Sequence, residues 1–249
     1  MKISQALGLK EREIISLVGG GGKTTLMFRL AEEIPLHYRV IVTTTTKIFV
    51  PSPGVFPLVL LGKDETSDKD LDRYLLSGLR PVIGAGLLEK NKLKGISCEQ
   101  LNLLQNHADF TLVEADGSKG LSLKGHLDFE PVIARSTTVL LVVIGGDILG
   151  KTLDSIYVHR PEIVSRLTGR KLGSLIDAEI IAELINHPEG VLRDSPSTAR
   201  VVPFINKADR LEDPNEGYRL GRLLLGEKIR KVIMGSAIGI NPVLDVIEC

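Results

Sequence analysis

The sequence predicts an α/β protein built on a doubly wound, mainly parallel sheet with helices on both faces. Three observations point there. Short apolar runs alternate along the chain with longer segments of helical spacing. The apolar runs are continuous, not alternating, as strands buried on both faces require. A glycine run stands between the first predicted strand and the first predicted helix, the place where phosphate-binding loops sit.

In chain order, "EIISLV" (13–18), "YRVIVTT" (38–44), "FTLVEA" (110–115), "TTVLLVVIG" (137–145), "ARVVPFIN" (199–206) and "RKVIMGS" (230–236) read as strands. "KTTLMFRLAEEI" places Leu26, Leu30 and Ile34 at helical spacing, and "SLIDAEIIAELINH" does so with Leu175, Ile176, Ile180, Leu184 and Ile185. "EGYRLGRLLLGEKI" is a third helix. Region 51–108 is less regular: "PSPGVFP" reads as a loop, "DKDLDRYLLSGL" as a short helix, and "RPVIGAGLLEKNKLKGIS" as a strand or hairpin. No linker divides the chain, so it is read as one domain over 1–249, with 51–108 a candidate irregular insert.

Composition narrows the function. Hydrophobic residues make up 43% and charged residues 25% of the 249, which is globular. Lys+Arg and Asp+Glu both total 31, so bulk charge favours neither a nucleic-acid nor a membrane partner. The two cysteines, Cys98 and Cys249, make a disulfide framework improbable and suit a reducing cytoplasm. The N-terminus lacks the apolar core of a signal peptide, and no run approaches the length of a membrane span.

The glycine run is "LVGGGGKTTL", 17–26. The common phosphate loop, G-x-x-x-x-G-K-[ST], would need glycine at position 17, which is Leu17. The run fits G-x-x-G-K-T instead, a loop two residues shorter, similar to that of the Mur ligase group. "GKTT" also resembles the signal-recognition and metallochaperone class of NTPases. Gly19, Gly20, Gly21 and Gly22 allow backbone amides to approach phosphate oxygens, and the helix N-terminus adds partial positive charge. Lys23 is expected to reach the β- and γ-phosphates, Thr24 to hold Mg²⁺, and Thr25 to complete the loop. The sheet is thus expected to be of P-loop NTPase type.

Glu114 and Asp116 end an apolar strand, where such proteins hold Mg²⁺, and alternation puts both on one side. "VTTTTKI" ends the second strand, so Thr43 to Thr46, with Thr45 as the representative, or else Asp116, are candidates to orient an attacking water. β-propensity alone also explains threonines there. "NKAD" after the fifth strand places Asn206, Lys207 and Asp209 in the guanine-reading pattern N-K-x-D. An aspartate accepts from guanine N1–H and the exocyclic amine together; adenine offers no such pair. Ser236 and Ala237 follow the next strand, where a backbone loop closes over guanine O6. An ATP enzyme can keep a similar Asn-Lys loop, as dethiobiotin synthetases do.

Other signals are weaker. Lys119, Lys124, His126 and Glu130 lie in a long polar segment that reads first as a solvated loop and second as a lid or substrate loop. His159 and Arg160 begin a helix, and Asp147 follows a strand. The five histidines show no metal-ligand spacing.

The ordered set "GGGGKTT" (19–25), "TTTTKI" (43–48), "VEADGSKG…LK" (113–124) with "EPVI" (130–133), "G-D-x-L-G-K" (146–151), "VHRPE" (158–162) and "NKAD" resembles the selenium-dependent hydroxylase accessory protein family, often labelled YqeC. The resemblance covers almost the whole chain. It implies a role in maturation of molybdenum hydroxylases, with such a hydroxylase or its maturation proteins as partners, and raises the interest of Lys124, His159 and Arg160. One departure is "LKGHLDF", where the family suggests something closer to "LKAPAEH".

The reading is a cytoplasmic, Mg²⁺-dependent P-loop NTPase that prefers GTP. Its rivals are an ATP-dependent ligase or kinase, with Lys119, Lys124 and His159 holding a small acceptor, and a non-catalytic GTP-binding switch.

Overall fold

The computed structural model describes residues 1–51, 54, 56–61 and 66–249, with backbone only for 66–69. The loop read over 51–57 therefore lies partly outside the described residues.

The chain opens with a short helix, α1 (Ile3–Leu7), and enters the sheet as β1 (Glu13–Gly19). After the glycine loop come α2 (Lys23–Glu33) and β2 (Val40–Thr44). Five three-residue strands and one helix follow: β3 (Lys47–Phe49), β4 (Leu58–Leu60), α3 (Thr66–Leu76), β5 (Val82–Gly84), β6 (Gly86–Leu88) and β7 (Lys92–Lys94). The helix α4 (Cys98–Leu104) leads into β8 (Phe110–Glu114), then β9 (Leu123–Lys124) and β10 (Val139–Gly145). The last third holds β11 (Val158–His159), α5 (Pro161–Thr168), α6 (Ala178–Asn186), β12 (Arg200–Asn206), α7 (Pro214–Leu224), β13 (Lys231–Gly235) and β14 (Val243–Glu248).

Nine strands form one sheet in the order β14-β13-β12-β10-β1-β8-β2-β5-β4, parallel except for β13 against β14. This is the doubly wound α/β architecture expected from the sequence. Every residue of β1, β8 and β10 is buried, which explains their unbroken apolar character. Alternate side chains feed opposite layers. Leu140, Val142 and Ile144 pack with α6 and α7, while Val139, Leu141 and Val143 pack with α1 and α2. Among the described residues no helix is long and apolar enough to cross a membrane.

Two predicted helices are shorter than their patterns. The segment read as helical from 174 begins at Ala178, because Asp177 caps it by accepting from the Ile180 amide at 2.8 Å. Ile176 instead makes extended backbone bonds with Gly150 and Lys151. The helix read to 229 ends at Leu224. Within 51–108, β4 and β5 join the main sheet, whereas β6 and β7 form a separate antiparallel sheet with β3.

β1 lies between β8 and β10, so its glycine loop emerges at the carboxyl edge flanked by the ends of both neighbours. That edge, where connections leave β1 in both directions, is where an open α/β sheet forms its ligand crevice.

Candidate functional site

Gly19 to Gly22 link β1 directly to α2. The turn is tighter than side chains permit. A Cβ on Gly19 would lie 2.4 Å from the Val143 carbonyl oxygen, and one on Gly21 would lie 2.2 Å from the Gly145 nitrogen. Both residues also have positive φ, at 95° and 82°. The loop amides were expected to face phosphate. Three of them are used internally instead: Gly19 N donates to Asp116 Oδ2 at 3.1 Å, Gly20 N to Val143 O at 2.9 Å and Gly21 N to Leu121 O at 2.9 Å. The donors left to an anion are those of the first turn of α2, Gly22 to Thr25, which have no carbonyl within the helix to bind.

Lys23, expected as a phosphate-reaching side chain, is itself buried. Its Nζ donates to Gly19 O at 2.5 Å and lies 3.1 Å from Asp116 Oδ1, and the residue is 2% exposed. The ammonium folds back across the glycine loop and is held on β8's exit.

Thr24 and Glu114 meet from two elements. The Thr24 hydroxyl donates to Glu114 Oε2 at 2.6 Å, joining the first turn of α2 to the end of β8. Burial pushes the Glu114 carboxyl above its usual range, against the opposing pull of Lys23 and the Thr24 hydrogen bond. A hydroxyl beside a carboxylate at a helix N-terminus fits Mg²⁺, which takes one or two protein oxygens and leaves its other positions to water and phosphate.

Asp116 does not fit a cation. Besides Lys23 and the Gly19 amide, its oxygens face His126 Nε2 at 2.6 Å and Lys124 Nζ at 3.3 Å. Burial alone would raise its carboxyl. Lys23, His126 and Lys124 outweigh that and hold it well below the usual carboxylate range. Of the two candidate metal carboxylates, Glu114 stands by Thr24, and Asp116 is the anion at the centre of a basic cluster.

The polar segment 116–133 is the main departure from expectation. It reads as solvated, yet Lys124 is 1% and His126 5% exposed. Lys124 Nζ lies 3.0 Å from Glu130 Oε2, and Glu130 in turn pairs with Arg160 at 2.6 Å. The two-residue strands β9 and β11 run parallel and put Lys124 beside His159, which brings "LK" and "VHRPE" together. Burial, then Arg160, Lys124 and Lys119, push the His159 imidazole down to about 4. Lys119 is exposed at the mouth. His126 and Glu130, grouped in sequence with Lys119 and Lys124 only as a solvated or lid segment, are members of this cluster. The only signal for them is the density of charge within 116–130, which a solvated loop explains equally well.

The threonines are bonded to backbone. Thr43 donates to Ile83 O, Thr44 to Glu114 O and Thr45 to Val132 O, at 2.9, 2.8 and 2.8 Å. Thr46 Oγ1 faces Gly117, 3.9 Å from where a Cβ would sit.

The "NKAD" segment borders a second cleft beside the glycine loop. Asn206 Nδ2 donates to Gly21 O at 2.7 Å, and its Oδ1 accepts from Ala237 N at 2.9 Å. One side chain thus ties the glycine loop to the segment after β13. Gly22, Thr25, Asn206, Lys207, Arg210, Ser236, Ala237 and Ile238 line the cleft. Lys207 is drawn to Ser122 Oγ and Asp147 Oδ2, at 2.9 and 2.8 Å. Asp209 is exposed on the adjoining turn and is not among the lining residues; Arg210 is. Among the described residues no group of three or more His, Cys, Asp or Glu could hold a metal by itself.

Residues 15–162, which carry the glycine loop, β8, the buried basic cluster and the start of α5, match the family model described as YqeC protein. Over 211 residues the chain is 32% identical to a protein named YqeC from Escherichia coli (strain K12), covering 83% of this chain and 81% of that one. With the match spanning more than half of its length, the chain belongs to the YqeC family.

Proposed function

We propose that this protein binds a nucleoside triphosphate with Mg²⁺, hydrolyses it with preference for GTP, and serves maturation of a selenium-dependent molybdenum hydroxylase. The maturation role rests on family membership. The nucleotide reading is carried by one observation, the meeting of Lys23, Thr24 and Glu114 at the N-terminus of α2 behind a loop that only glycine can form.

Each residue then has a task. The first-turn amides of α2 and Lys23 stabilise negative charge on the transferred phosphoryl group. Asp116 keeps His126 and Lys124 as partners, so a phosphate can draw Lys23 away without leaving a buried carboxylate alone. Thr24 and Glu114 would hold Mg²⁺, which would supply charge neutralisation at the phosphates. Thr45 donates its proton to Val132 and keeps lone pairs to orient a water. The base occupies the cleft of Asn206, Lys207, Ser236 and Ala237, with Asp209 turning inward to read guanine.

One observation favours transfer to a small acceptor instead. The cluster of buried Lys124 and His126 with half-buried Glu130, and with His159 and exposed Lys119 beside it, is more elaborate than hydrolysis needs. Steady-state phosphate release from Mg·GTP and Mg·ATP tests the proposal. Release without an added acceptor, faster for GTP, supports the GTPase; tight binding with no release in the absence of an acceptor supports transfer.

A further inference from the structure

The small sheet β3-β7-β6 has one face in the protein and one in solvent. Ile48 and Leu93 point inward and are buried in the core that contains α2 and β1. The paired positions Lys47–Lys94–Gly86 and Phe49–Lys92–Leu88 share the outward face. Phe49 is 63% exposed, with Lys92 Nζ 5.1 Å from its ring centroid, and Leu88 is 36% exposed. Across the three strands and their hairpin turn the sequence has four lysines, Lys47, Lys90, Lys92 and Lys94, against a single carboxylate, Glu89. In a chain of zero net charge this is a local excess of positive charge around an exposed apolar centre.

We propose that this face docks an acidic, extended segment of a partner protein, which adds to the sheet along the outer edge of β6. Among the described residues strand β6 is terminal in the order β3-β7-β6, and it exposes Leu87 as well as Leu88. An unpaired edge accepts another strand through its backbone groups. Three strands of three residues span roughly 10 Å by 10 Å, far below the roughly 800 Å² per side of a stable globular contact. A short segment fits that area. A second copy of this chain would set lysine against lysine. A nucleic acid would gain nothing from the strand edge.

The position gives such docking a consequence. Gly95 N donates to Thr46 O at 2.6 Å and Ile96 N to Thr44 O at 2.8 Å, directly after β7. Thr44 and Thr45 are bonded to Glu114 O. The sheet is therefore fastened to the strand end beside Thr24 and Glu114. The docking proposal does not depend on nucleotide binding.

The test is fluorescence anisotropy at low salt with a short synthetic peptide of alternating glutamate and valine, and with the same peptide carrying lysine for glutamate. Backbone amide shifts locate the contact. The expected result is binding of the acidic peptide only, with shifts in 47–49 and 86–94. Combined Lys47→Glu, Lys92→Glu and Lys94→Glu should weaken it by about tenfold or more, since several rim charges are reversed together. Should the charge-reversed protein not fold, the Phe49→Ala, Leu88→Ala pair is expected to weaken binding as well, and added salt to weaken it for wild type. Equal binding of both peptides, shifts confined elsewhere, or tighter binding of a thymidine oligonucleotide to this face would overturn the proposal.

Discussion

Lys23 and Asp116 form an ion pair of 3.1 Å in which the two side chains are 1% and 0% exposed. A buried pair is costly to break from one side, because the remaining charge stays out of water. Lys23→Ala should therefore lower stability as well as nucleotide binding, by up to about 3–5 kcal/mol. His126 and Lys124 still face Asp116, which moderates the loss. Adding Asp116→Asn should restore part of the stability and none of the binding. Urea unfolding of the single and double variants, with calorimetric titration of each, separates the two effects.

Thr24 and Glu114 should separate from the fold more cleanly. Thr24→Ala removes one hydrogen bond to a carboxyl that burial already favours in its protonated form. Stability should change by about 1 kcal/mol or less, while Mg²⁺-dependent affinity for triphosphate falls about tenfold or more. Glu114→Gln should reduce turnover with little change in unfolding. Full Mg²⁺-dependent activity in both variants would mean that this pair is only a structural contact.

The His159 imidazole, held down to about 4, gives a pH dependence of known sign. Its ordinary value is about 6.5, so on acidification the unfolded chain takes up this proton first. Stability should fall as pH drops from about 6.5 towards 4. His126 is shifted the same way by burial and adds to the slope. His159→Gln should flatten the fall without abolishing it. Thermal unfolding of both proteins across that range is the measurement, and an unchanged slope would show that His159 is not the titrating group.

Much of this was legible in the residues, for a physical reason. Strands buried on both faces need unbroken apolar runs, so β1, β8, β10 and β12 stand out as such. β14 does not, because an antiparallel edge strand such as "VLDVIE" is half exposed and mixes polar with apolar residues. The three-residue strands β3, β6 and β7 are too short for any period to show. The glycine loop, Lys23, Thr24 and Glu114 were legible because the chain places them in sequence order around β1 and β8. The burial of Lys124 and His126 was not. It depends on Asp116 and Glu130 of the 116–133 segment converging with Arg160 at the start of α5, and a charged residue in sequence carries no mark of its partner.

Base choice is the finest claim. Asp209 lies exposed beside the cleft, so the proposed guanine reading requires it to turn inward. Asp209→Asn should then weaken GTP binding by about 1–3 kcal/mol, or roughly 5- to 150-fold, and favour xanthine nucleotides. Competition among GTP, ATP and XTP for both proteins decides it. An unaltered preference in the variant would assign the cleft to another base reader, with Arg210 the nearest candidate on its wall.

The nucleotide site itself is tested most directly by calorimetric titration of the wild-type protein with Mg·GTP and Mg·ATP, repeated with EDTA and with Thr24→Ala. The account predicts one saturable site, tighter for GTP, weakened when Mg²⁺ is removed or the Thr24 hydroxyl is lost. Heats no larger than dilution for both nucleotides, from protein shown to be folded, would contradict it.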